Sequence, residues 1–67
     1  MELVKLKTKI HNSGLKKKSI AAKLGITEMS LIRKLRGDTE FKVSETIILG
    51  ELLNLTNDEK CDIFFSA

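Results

Sequence analysis

Sixty-seven residues, 42% hydrophobic and 31% charged, make one small domain with apolar content enough for one core, unlike a disordered polyelectrolyte. The lone cysteine, Cys61, excludes an intrachain disulfide, and the longest uncharged apolar run, Thr46 to Gly50, falls far short of the ~20 residues that span a bilayer. The net charge of +3 conceals a split: residues 1–36 carry ten Lys/Arg and two Asp/Glu, a balance of +8, and residues 37–67 carry two and seven, a balance of −5.

A basic half joined to an acidic half suggests one face for a polyanion and another for something else. MELVKLKTK at the N-terminus has no apolar stretch of the kind a signal peptide needs. With a single cysteine, the expectation is a cytoplasmic protein.

There is no proline and no alternating β-branched run, so the chain reads as all-α, with five helices in one domain. The first spans about Glu2 to Asn12, where Leu3, Leu6 and Ile10 form one apolar stripe. Gly14 suits a left-handed cap behind it. The second runs from Lys17 to Leu24, with Ile20, Ala21 and Leu24 inward, and Gly25 supplies a tight turn. Thr27 is a good N-cap for the third, which turns Leu31 and Leu35 inward and ends by Gly37. A polar loop anchored by Phe41 leads to the fourth, about Val43 to Asn54, whose core side is expected at Val43, Thr46, Leu49, Gly50 and Leu53. Thr56-Asn57-Asp58-Glu59 is a capping box that opens a fifth, Asn57 to about Phe65, with Cys61, Phe64 and Phe65 on one side.

The stretch LGITEMSLIRKLRG, Leu24 to Gly37, is the informative one. A helix–turn–helix needs a small residue where its two helices cross, a turn residue that tolerates positive φ, and a second helix that is apolar inward and short or polar outward. Ala21, Gly25 and Leu31 stand at the spacing that meets these needs, and Ile20, Leu24 and Ile26 fill the space between them.

On these residues, LKKKSIAAKLGITEMSLIRKLRG resembles the Cro/repressor (Xre-type) helix–turn–helix family. The continuation TEFKVSETIILGELLNLTNDEKCDIFF is similar to short Cro-like regulators of phages and prophages of Gram-positive bacteria. The resemblance implies a lambda-repressor-like fold with the motif at residues 17–36, operator DNA as partner, and a part in a lysis–lysogeny switch. These 67 residues hold no second domain of the kind full-length repressors carry, so a Cro or antirepressor role is expected. Carried over by position, Lys17 stands where the family usually has a glutamine at a phosphate and base edge. Thr27, Glu28 and Met29 stand where the third helix meets bases, with Ile32 and Arg33 one turn further on. Arg36 and the loop to Lys42 stand where backbone phosphates are touched.

The residues themselves point the same way, with two exceptions. Lys16, Lys17 and Lys18 open a helix, where the macrodipole disfavours cations by about 0.3–1 kcal/mol each. Phosphate contact accounts for that misplacement; a solvated basic turn is the plain alternative. Arg33 and Arg36 lie three apart on the outward side, and arginine pairs bidentately with guanine or phosphate. Glu28 and Met29 fit less well. Glu28 is a favourable first-turn acid, an acceptor for a cytosine amino group, or a contact to a basic protein; Met29 suits a thymine methyl or an adaptable protein contact.

Ile48 and Leu52, with Ile47 at the edge of the core stripe, form a second apolar face on the fourth helix: a candidate protein interface, or a core wider than the stripe suggests. His11 and Cys61 have no companions that would make a metal site or a nucleophile–base pair, so no metal, cofactor or enzyme activity is expected. Two functions remain. One is a DNA-binding regulator, whose dimer would bridge two half-sites about 34–36 Å apart. The other is an antirepressor that applies Glu28, Met29 and Ile32 to the DNA-binding domain of a partner phage repressor.

Overall fold

The computed structural model describes residues 1–65. Each helix forms within two residues of its expected bounds: α1 Leu3–Ser13, α2 Lys17–Leu24, α3 Glu28–Leu35, α4 Val43–Leu52 and α5 Asn57–Phe64. Among the described residues there is no strand.

The bounds follow from capping chemistry. At the end of α2, Gly25 takes φ +74°; its N–H donates to Ala22 and the Ile26 N–H donates to Ala21, at 3.2 and 3.0 Å. This is a Schellman closure, which uses carbonyls a helix end would otherwise leave unpaired. Asn54, at φ +52°, ends α4 in the same way: its own N–H reaches Glu51 and the Leu55 N–H reaches Gly50. That closure stops α4 at Leu52, two residues before the bound expected from the sequence, since asparagine enters the left-handed region at little cost. Thr56 and Glu59 exchange hydrogen bonds of 3.1 and 3.0 Å at the start of α5, the capping box legible in the sequence.

The core is a meeting of five helices. Its largest fully buried side chains are Leu6, Ile20, Leu31, Leu49 and Ile63, one from each. Ile10, Ala21, Leu24, Leu35, Leu55 and Phe64 complete it. α2 packs against α3 and α4, and α1 against α5.

Two expectations about the second half fail. Val43 is 72% exposed, while Glu45 and Thr46 are buried and Ile48, Leu52 and Leu53 pack against the core. The inner face of α4 is thus rotated away from Val43 towards Glu45. On α5, Cys61 and Phe65 are exposed, and Ile63 joins Phe64 inside. The reason is electrostatic as well as apolar. Asp62 pairs with Lys5 at 2.7 Å and Glu59 pairs with Lys9, so α5 runs antiparallel to α1 with its acids against α1's lysines. That orientation turns Ile63 and Phe64 inward.

The rotation of α4 has its own ionic cause. Lys34 of α3 and Glu45 of α4 are both buried, their charged atoms 3.4 Å apart. Lys34 Nζ also donates to the Glu40 carbonyl at 3.0 Å and lies 5.9 Å from the centre of the Phe41 ring. Glu45 Oε1 accepts from the Lys42 N–H at 2.8 Å. Each charge therefore has more than one partner, the condition for tolerating burial. Removing one member strands the other: Lys34→Ala should lower unfolding free energy by about 3–5 kcal/mol, while the Lys34→Met, Glu45→Met double variant loses much less. Urea unfolding of the three proteins measures this, and equal losses in single and double variants would contradict the coupling.

Glu59 gives a second expectation. The hydrogen bond from Lys9, then that from the Thr56 N–H, lowers its pKa from the usual 4.5 to about 2. A depressed carboxylate contributes its stability fully above about pH 4.5 and loses it as pH falls towards 2. Between those values the wild type should lose melting temperature more steeply than Lys9→Met, in which Glu59 keeps only its capping bonds. Parallel melting curves against pH would show that the pair contributes nothing.

Candidate functional site

α2 begins with three lysines and no acid in its first turn, and no side chain caps it. Lys16, Lys17 and Lys18 are all exposed. The uncapped N–H groups and the lysines thus present positive charge at the same end of one helix.

The Gly25–Ile26–Thr27 turn then directs α3. Thr27 Oγ1 accepts from the Ser30 N–H at 3.1 Å, which caps α3 and leaves the hydroxyl's own O–H to donate elsewhere. Leu31, Lys34 and Leu35 bury one side of α3. At helical spacing, Met29, Ile32, Arg33 and Arg36 fall on the other. Met29 is 55% exposed; Glu28, Arg33 and Arg36 are exposed, and Ile32 is half-buried. Arg36 pairs with Asp38 at 3.7 Å. Arg33 and Glu28 make no ion pair among the described residues. Lys42, exposed, stands at the N-cap position of α4; its backbone N–H donates to Glu45, and its side chain makes no cap hydrogen bond.

Three of the residues singled out from the sequence, Lys17, Ile32 and Arg36, come together in one groove of about 490 Å³. Lys7 and His11 of α1 complete its cationic and polar rim, and Ile10, Leu15 and Leu35 line its apolar part. Sequence reasoning missed Lys7 and His11. Their signal was present: they stand at i and i+4 on one flank of the Leu3–Leu6–Ile10 stripe, and Lys5 and Lys9 stand at i and i+4 on the other. Only the fold assigns the flanks. Lys5 and Lys9 pair with α5, whereas Lys7 faces the groove with no ion pair among the described residues.

The fourth-helix candidates separate. Ile48 and Leu52 pack against the core, so the wider-core alternative describes them, while Ile47 is 57% exposed beside Val43 on the outer face. Cys61 is exposed, and no group of three or more His, Cys, Asp or Glu stands close enough to hold a metal ion among the described residues. Nor does any helix among them have the length and apolarity to cross a membrane.

The arrangement is a cationic and partly apolar surface built on α2, the turn and α3, and extended by α1. It offers hydrogen-bond donors and positive charge to a large anion. Comparison with protein-family models, curated proteins and solved structures finds no match.

Proposed function

We propose that this protein is a DNA-binding transcriptional regulator of the Cro type, acting through a helix–turn–helix formed by α2 and α3 of a lambda-repressor-like domain. The observation that carries the reading is the concentration of exposed cations on these elements: Lys16, Lys17 and Lys18 at the uncapped start of α2, and Arg33 and Arg36 on the outer side of α3. α3 enters the major groove. The lysine turn and the Arg36–Lys42 region hold phosphates on either side, and Arg33 meets a base edge or phosphate. The cytoplasm of a bacterial host and a role in a phage lysis–lysogeny switch follow from the resemblance to short Cro-like proteins.

A second reading is favoured by a specific observation. The first turn of α3 exposes Glu28 and Met29, an acid and a large apolar side chain, at the place where the first reading wants contact with DNA. A basic helix–turn–helix surface of a partner repressor would complement both. In that case the protein works as an antirepressor, and the same face is closed to DNA.

Paired experiments separate the two: gel shifts with DNA from the region upstream of its own gene, and pull-downs with the DNA-binding domain of the proposed partner phage repressor. In the first reading the fragments shift at low salt, and Arg33→Ala weakens binding by about 1–3 kcal/mol. Absence of any shift at low salt rejects it. In the second, wild type captures the repressor domain, and Glu28→Lys abolishes capture while leaving the helical signal intact. Capture unaffected by Glu28→Lys removes the α3 face from the contact.

A further inference from the structure

We infer that α1 belongs to the nucleic-acid surface: Lys7, together with Lys17 and Arg36, holds a DNA backbone phosphate at the groove between α1, α2 and the end of α3. This rests on the DNA-binding reading and adds a contact from a helix outside the helix–turn–helix.

The argument starts from how α1 spends its lysines. Lys5 and Lys9 face α5 and are paired with Asp62 and Glu59. Lys7, on the opposite flank, lines the groove with Lys17 and Arg36, so cations from three separate elements converge. Among the described residues, the one ion pair these three cations make is Arg36 with Asp38, at 3.7 Å. Like charges around one concavity repel unless an anion sits among them.

The rest of the groove suits a nucleotide backbone. His11 adds a ring nitrogen at the rim, and the uncapped first turn of α2 adds peptide N–H groups beside Lys17. The apolar part, Ile10, Leu15, Ile32 and Leu35, gives a deoxyribose a non-polar surface next to the phosphate site. An acidic protein segment would satisfy the charges as well. DNA is favoured because Arg36, Ile32 and Lys17 continue directly into the outer face of α3 and the lysine turn, where the other proposed DNA contacts lie.

Fluorescence anisotropy with a labelled mixed-sequence duplex, over a series of salt concentrations, tests this without knowledge of the operator. Each phosphate contact adds about 0.9 to the slope of log affinity against log salt. Lys7→Ala and Lys7→Gln should each lower that slope by about 0.9 and weaken binding several-fold at fixed salt. Lys23→Ala, which removes an exposed lysine of α2 outside the groove, should leave the slope unchanged. Circular dichroism confirms that each variant is folded. If Lys7 variants keep the wild-type slope while Lys17→Ala lowers it, the inference is overturned and DNA binding stands. If wild type binds no duplex at low salt, both fall. If Lys7→Ala weakens binding to poly-glutamate but leaves the DNA slope intact, the groove belongs to an acidic protein segment and the inference is likewise overturned.

Discussion

Everything in this domain depends on five helices, each too short to stand alone, meeting at one point. The helices run from 8 to 11 residues, lengths at which an isolated helix in water is marginal. Leu6, Ile20, Leu31, Leu49 and Ile63 close that meeting point, so each helix is held by side chains from the others. A chain of this size buries only about 60% of its unfolded surface, and no second core is available to compensate for a loss at the first. The shared centre also fixes the elements that carry the candidate site. α3 cannot turn its outer face without withdrawing Leu31 and Leu35 from the core.

Around that centre, nine of the twelve Lys/Arg form two populations. Lys5, Lys9 and Lys34 join the helices: the first two hold α5 against α1, and the third holds α4 against α3. Exposed pairs such as Lys5–Asp62 are screened by solvent, so their effect is on orientation more than on stability. The buried Lys34–Glu45 pair is different, because it cannot be half removed. Lys7, Lys16, Lys17, Lys18, Arg33 and Arg36 stay outside these contacts and gather towards α2, the turn and α3. Acids of the second half thereby pair with the lysines that join the helices, and apart from Asp38 beside Arg36 they leave the cations of α2 and the outer side of α3 exposed. The split of +8 and −5 along the chain becomes a polarised surface through that selective pairing.

The polarity is not uniform, and the exceptions limit what the surface can be. Glu28 and Met29 interrupt the cationic face at the first turn of α3. Glu28 gains from the helix dipole whatever it contacts, so its stabilising role and a recognition role are compatible. Thr27 combines both: its hydroxyl oxygen caps α3 by accepting from the Ser30 N–H, and its O–H hydrogen is not used by that bond.

The helices and most of their ends, that of α4 excepted, were legible in the sequence because they rest on local chemistry. Gly14, Gly25 and Gly37 permit left-handed caps, Thr27 and Thr56 cap the following helices, and the stripes of α1, α2 and α3 face inward as their 3.6-residue spacing requires. Much of the candidate site was legible for the same reason: outward residues of α3 and the lysines opening α2 are defined by position within one helix. What the tertiary structure decided were choices between faces. Val43 against Glu45 on α4, Cys61 against Ile63 on α5, and Lys7 against Lys5 and Lys9 on α1 are nearly balanced within their own helices. Partners distant in sequence, 11 residues away for Lys34–Glu45 and more than 45 for the α1–α5 pairs, resolve them. Periodicity states which residues share a face, but which face is buried, and which lysine is left for a ligand, depends on charges that only the folded chain brings together.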